Sequence, residues 1–489
     1  MIRSGHSISL WLILVGVTCW MAVGCGSPES ASSLPKQQTN ASADAKSSAK
    51  AGRPRPFTRL FVQDLDNCAL KWTTVRLDQD NRWLCDPWAT VSGFPALDAK
   101  RQKLVQMDVV GSLLLVGVRD DADGTFQSGW VLLDTGVRYI DHGDHGHWNF
   151  RRSPEVWDQC LDDKQGNPAH LYVYNEKFFL ANDRLNGYTR IDPSRYEKTK
   201  EGTLRKDTPR FIPGGGNHIT LAVVDDKVGY SCWIDGGGPN KGRVDVTPIP
   251  HEQASSKPAY SFYLPTGAIH GATTCAGKVF FAPAAGLCWV HADRELKHNP
   301  ETVKIHHIDL GTEDDKPRRT GAFVTHKNYV LFTTGKSKQA ALAILDAQAA
   351  QPLPWFVPLP VPAGTQPVTP IIADTAYGPL YAFVFCDRVP PAENVTEVLH
   401  VIDLDPNRDG KLDDAKLFKT LTVGGSAVEG HFGHHDLTFD SDRQYGFFTN
   451  PADKTLVVLS LKTLEPVATF SFDGKPTALV AVGSRETDD

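Results

Sequence analysis

One unit recurs along this chain: an apolar run, a tight polar turn, then a second apolar run. It reads Leu171-Tyr172-Val173-Tyr174, Asn175-Glu176-Lys177, Phe178-Phe179-Leu180, and again Leu221-Ala222-Val223-Val224, Asp225-Asp226-Lys227, Val228-Gly229-Tyr230. Further copies surround Gly111-Ser112, Ala276-Gly277-Lys278, His326-Lys327-Asn328 and Ser441-Asp442-Arg443, with a looser one at Ala373-Asp374-Thr375-Ala376-Tyr377-Gly378. Each reads as a β-hairpin, and other strand-like runs follow, such as Val401-Ile402-Asp403-Leu404 and Leu456-Val457-Val458-Leu459. Copies start roughly 45 to 65 residues apart, which suits a four-stranded propeller blade with some long loops. A sandwich of this size would need two domains, and a β-helix would repeat at a shorter period. Long helical patterns are absent. The chain is predicted to be all-β, a β-propeller.

The two ends supply the closure. The final run Ala478-Leu479-Val480-Ala481-Val482 reads as the inner strand of a blade that lacks its outer strands. Leu60-Phe61-Val62 and the run near Trp72-Thr73-Thr74-Val75 can supply them. Pairing first and last segments in one blade removes an exposed sheet edge. Counting that shared blade gives about eight blades, with seven as the alternative.

The body covers residues 56–489, preceded by two segments of other character. Arg3 followed by the apolar run from Ile8 to Val23 reads as an export signal over residues 1–24, too short for a comfortable transmembrane helix. Ala22-Val23-Gly24-Cys25 resembles a bacterial lipoprotein cleavage site, so Cys25 is the expected lipidation site. Residues 25–55 are rich in Ser, Ala, Lys, Gln and Pro, and read as a disordered tether. The expected location is the periplasm or cell envelope, held at a membrane by lipid alone. With 51 basic against 57 acidic residues and a net charge of −6, nothing suggests a nucleic-acid partner.

Beyond Cys19 and Cys25 the chain carries Cys68, Cys85, Cys160, Cys232, Cys275, Cys288 and Cys386. Export permits disulfides, and Cys68 with Cys85 is the first candidate pair. No Cys-x-x-Cys occurs, which argues against a zinc ribbon or a thioredoxin-like site.

Chemistry concentrates in histidine. Asp141-His142-Gly143-Asp144-His145-Gly146-His147 combines imidazoles and carboxylates with two glycines that let the backbone fold around a small ion. Such donors suit a borderline divalent cation, Zn²⁺ above all. The spacing is not helical, so the segment reads as a flexible loop suited to capture and release. His170, His218, His270 and His434-His435 sit at or just before inner strands of separate repeats. Inner strands begin on one face of a propeller, so these imidazoles are expected to converge on one mouth. Of the adjacent pair, His435 aligns better with His270, and His431 is a loop partner. The loop from Asp141 to His147 precedes the His170 repeat and is expected to fold over the same mouth.

Asp405, Asn407, Asp409 and Asp413 alternate around Gly410 like the first half of a calcium-binding EF-hand loop, although Lys416 stands where the closing Glu would be. Catalytic motifs are poor: there is no nucleophile elbow, no phosphate-binding glycine loop and no zincin motif. Gly214-Gly215-Gly216 reads as a flexible turn.

From about Arg59 to Gly483 the chain resembles the periplasmic zinc metallochaperones of the AztD type, β-propellers that work with a zinc ABC importer. The resemblance rests on the Asp141-to-His147 loop, on His218 and His270-Gly271 at strand starts, and on the segment from Phe448 through Asp453 to Gly474-Lys475-Pro476. It implies that His142, His145, His147, His170, His218 and His270 serve as zinc ligands. It also implies that zinc passes to the solute-binding protein of the importer. The leading expectation is a non-enzymatic zinc carrier. The alternatives are a metal-dependent propeller enzyme, hydrolytic or redox, and a binding scaffold.

Overall fold

The computed structural model describes residues 54–120, 127–250 and 257–485. The expected signal peptide, Cys25 and the tether up to residue 53 lie outside the described residues. The first strand begins at Arg55.

Eight antiparallel sheets of four or five strands follow one another along the chain. They are the blades of an eight-bladed propeller. Blade 1 joins the two ends: Pro476–Val482 is its inner strand, followed outward by Arg55–Asp64, Ala69–Leu77 and Trp83–Cys85. Blade 2 runs outward through Gln102–Val110, Leu113–Asp120, Ser128–Asp134 and Glu155–Asp162. Blades 3 to 6 open with inner strands Pro168–Tyr174, Leu221–Val224, Ala272–Cys275 and Val324–His326. Blade 7 opens with Thr365–Pro367 and Ile371–Asp374, and blade 8 with Leu437–Phe439. Among the described residues the helical elements are two single 3-10 turns, Asp183–Leu185 and Pro193–Arg195.

The sequence pattern has a direct packing cause. A middle strand is covered on both faces by neighbouring blades, so it reads as an unbroken apolar run, as in Leu113-Leu114-Leu115-Val116. An outer strand has one wet face and alternates, as in Lys416–Thr422. The core is therefore a set of layers between blades rather than one centre. Tyr230, Val244 and Phe262 of blade 4 pack on Val279 and Phe281 of blade 5, and Phe57 and Trp83 of blade 1 on Phe447 of blade 8. Closure is a ladder in which Arg59 lies opposite Val482 and Asp64 opposite Pro476.

Strand polarity defines two faces. Inner strands start at the front face, where the turns between second and third strands also lie. The inner hairpin turns and the links from third to outer strand lie at the back face.

The expected Cys68–Cys85 disulfide does not form. Cys68 precedes Ala69, the first residue of a strand, whereas Cys85 pairs opposite Val75 further along it. At about 3.3 Å per residue they stand about 20 Å apart, far beyond the roughly 7 Å limit for bridging.

Candidate metal centre

Three histidines from consecutive blades meet at the front face. His170 sits in blade 3, where the pairing register shifts between Pro168 and Leu171. That bulge re-aims its side chain. His218 is delivered to the start of blade 4 by Gly214-Gly215-Gly216. These glycines are not slack. Gly215 has φ +76°, and a Cβ at Gly216 would collide with the Trp233 ring. Close approach of backbone to ring is the reason for glycine here, correcting the expected flexible turn. His270 precedes the inner strand of blade 5, and its N–H donates to Ala282 O at 3.0 Å.

One ligand-capable atom from each of the three imidazoles lies within 4.8 Å of those of the other two. Ring centroids stand 4.5 Å (His170–His218), 5.1 Å (His218–His270) and 6.1 Å (His170–His270) apart. With Zn–N bonds of about 2.0–2.1 Å and tetrahedral angles, imidazoles on one ion have centroids about 5 Å apart. The triad is thus close to the spacing a shared ion requires.

Two of the three outer nitrogens are held by oxygen. His218 Nδ1 faces the buried carboxylate of Asp183 at 3.4 Å, and His270 Nδ1 donates to Gly321 O at 3.1 Å. Asp183 is itself fixed by Ile219 N–H at 3.0 Å and by Arg119 at 3.3 Å. Such acceptors fix the tautomer and leave the Nε2 lone pairs for an ion. His170 Nε2 lies 2.9 Å from His218 Nε2, so one of them carries a proton that a metal would displace. Burial, reinforced by His218, His270 and His431, holds His170 well below the ordinary histidine pKa. Burial likewise lowers His270 and His431. Neutral imidazoles are the form that binds metal. The donor set fits a borderline divalent cation.

His142, His145 and His147 are elsewhere, which corrects two expectations. Their segment is a β-hairpin, not a flexible loop: Arg138–Asp141 pairs with Gly146–Asn149, and His142 N–H donates to His145 O at 2.8 Å. It is inserted between the third and outer strands of blade 2 and therefore lies at the back face. Its base confirms this polarity, because Arg59, opposite Val482 at the far end of an inner strand, donates to Thr135 O and Arg152 O at 2.7 Å. The hairpin does not cover the mouth that holds the triad. Its rings do gather, with His142 5.0 Å from His145 and 5.1 Å from His147. Asp141 accepts Gly143 N–H at 2.7 Å, and Asp144 contacts His145 Nδ1 at 2.8 Å.

No family model matches the chain, and no curated protein matches it. Solved structures do. AztD of Citrobacter koseri matches with TM-score 0.58 and 14% identity over 89% of this chain and all of that one. Its apo structure gives 0.57 and 14% over 88% and 100%. The chain shares the fold of AztD. The dihydro-heme d1 dehydrogenase NirN, in complex with DHE, follows at TM-score 0.50 and 13% identity, over 89% of this chain and 77% of that one. At these identities AztD and NirN share with this chain the backbone frame alone.

His435 corrects another expectation. Its Nδ1 lies 2.7 Å from Asp387 Oδ1 and its Nε2 3.0 Å from Gly424 O. Both partners are acceptors, so both nitrogens donate and the ring is an imidazolium with no lone pair for metal. Burial opposes the charge, but the hydrogen bond to Asp387, with Glu397 behind it, raises its pKa above the ordinary value. Asp387, Glu397 and His435 are close enough to suggest an ion, but both ring nitrogens of His435 already donate, to Asp387 and to Gly424 O, which leaves it no lone pair to offer one. His434 Nδ1 meets the other oxygen of Asp387 at 2.8 Å.

The segment from Asp405 to Asp413 links third and outer strands of blade 7, again at the back face. Asp405 and Asn407 accept the N–H of Asp409, Asp405 that of Gly410, and Asp409 that of Lys411. Lys416 starts the outer strand opposite Asp403, so the closing position of the EF-hand pattern is built into a sheet.

Asp183 and Gly321 O went unseen in the sequence. Asp183 sits 35 residues before His218 in an ordinary polar turn, and only the stacking of blades 3 and 4 brings them together.

Proposed function

We propose that this protein is an envelope zinc carrier that captures Zn²⁺ on His170, His218 and His270 at the front face of its propeller. The observation that carries the reading is the triad, with the outer nitrogens of His218 and His270 on oxygen acceptors. The resemblance to AztD-type metallochaperones adds zinc as the cargo and the solute-binding protein of a zinc ABC importer as the acceptor. The anchored N-terminus expected at Cys25 would keep the carrier near a membrane. The hairpin bearing Asp141, His142, Asp144, His145 and His147 becomes a separate, exposed collecting point on the back face. Calcium at Asp405, Asn407, Asp409 and Asp413 is a separate structural proposal.

A specific observation favours a second reading. Three histidines leave a fourth position, and zinc enzymes keep such a position open for water. On that reading the triad would activate water, and the protein would be a metal-dependent enzyme.

The test is a competitive zinc titration against a chelator of known affinity, with metal content measured by mass spectrometry. The carrier reading expects one tight zinc that disappears in the variant with His170, His218 and His270 all replaced by Ala. Binding that is weak, or indifferent to those substitutions, rejects it.

A further inference from the structure

The link between blade 7 and blade 8, residues 423–436, is built as a strap. Its base is fixed by buried groups: Glu397 accepts Ser426 N–H at 2.8 Å, and Asp387 holds His434 and His435. Ala427 N–H donates to Gly433 O at 2.8 Å. Beyond this base the strap narrows to a tight tip. Glu429 N–H donates to Phe432 O at 3.0 Å and Phe432 N–H to Glu429 O at 3.1 Å, with Gly430 at φ +62°. His431 is at the point of that tip. Lys103 of blade 2 places its ammonium 4.7 Å from the Phe432 ring and steadies it.

The tip reaches across the front face. Blade 8 stands opposite blade 4 in an eight-membered ring, yet the His431 ring lies 5.6 Å from His218 of blade 4 and 5.8 Å from His270 of blade 5. These are close to the roughly 5 Å separations expected of imidazoles on one zinc. His431 is exposed, whereas the triad is half-buried. It is therefore the member of the group that an approaching protein meets first.

We propose that His431 is the fourth ligand of the front-face site and the one surrendered on transfer. This rests on the carrier reading and deepens it: a fourth imidazole closes the position that an enzyme would leave for water. Release is a ligand exchange. The bond between the ion and His431 breaks as a donor atom of the acceptor protein forms its own. The ion keeps its charge, and no electron changes hands. The stiff base and narrow tip let His431 swing aside while the triad retains the ion.

Cobalt(II) is the probe, because four-coordinate cobalt absorbs visible light far more strongly than five- or six-coordinate cobalt. In the full chain, His431→Ala is expected to weaken the visible bands, and millimolar imidazole to restore them. Outer partners of metal ligands already cost roughly 10- to 100-fold when removed, so zinc loss to a chelator is expected to accelerate at least tenfold. His431→Cys is expected to add a thiolate-to-cobalt charge-transfer band. Unchanged spectra and release rates in both variants overturn the proposal while leaving the triad intact. A wild-type chain that binds neither cobalt nor zinc overturns the carrier reading and this proposal with it.

Discussion

His435 and Asp387 form a buried ion pair: the ring donates to Asp387 Oδ1 at 2.7 Å, and its other nitrogen to Gly424 O at 3.0 Å. The pair ties the top of blade 7 to the base of the strap that carries His431.

This pair gives stability a pH signature. An unfolded histidine titrates near about 6.5, and the folded value of His435 lies above its ordinary one. The stabilisation is complete below about pH 6.5 and is lost as pH rises through the folded value. In metal-free protein, the gap in thermal midpoint between wild type and His435→Gln is expected to be wider near pH 6 than near pH 9. A gap that widens with rising pH would show that the ring is neutral.

Asp183 acts on the metal through His218. Asp183→Asn keeps an acceptor for Ile219 N–H but weakens the hold on His218 Nδ1. Zinc affinity is expected to fall roughly 10- to 100-fold, as for other outer-sphere carboxylates. Competition titration reads this directly, and an unchanged affinity would remove Asp183 from the site.

The back-face hairpin is predicted to be energetically separate from the triad. Replacing His142, His145 and His147 together by Ala is expected to abolish any weaker zinc equivalent and leave the tight one untouched. Isothermal titration separates the two. Loss of the tight equivalent would mean that the hairpin reaches the front face after all.

The fold was largely legible because its cause is local. The turns Asn175-Glu176-Lys177 and Asp225-Asp226-Lys227 announce hairpins, and the unpaired last run announces the closing strand. Strand starts also placed His170, His218 and His270 on one face. What could not be read was contact between elements distant in sequence. Asp183 reaches His218 only through the stacking of blades. His435 sits at an aligned position, but Asp387, 48 residues earlier, turns it into an imidazolium. The hairpin from Asp141 to His147 was misplaced because proximity in sequence to His170 says nothing of polarity. The insertion point within blade 2 decides that.

Blade packing makes its own demand. A Cβ at Gly229 of blade 4 would fall on the hydroxyl of the fully buried Tyr188 of blade 3. Overpacking of this kind costs about 1–3 kcal/mol. Gly229→Ala is expected to lower the denaturant midpoint by a corresponding amount, and the double variant with Tyr188→Phe to recover part of it. Equal midpoints for Gly229→Ala and wild type would show that the two blades yield to the added methyl.

The central claim is where the metal sits. Anomalous diffraction recorded on both sides of the zinc absorption edge, from crystals grown with one equivalent of zinc, locates it without reference to affinity. One dominant peak is expected among the Nε2 atoms of His170, His218 and His270. A front face without a peak, with zinc only on the His142–His147 hairpin or at scattered surface sites, would contradict it.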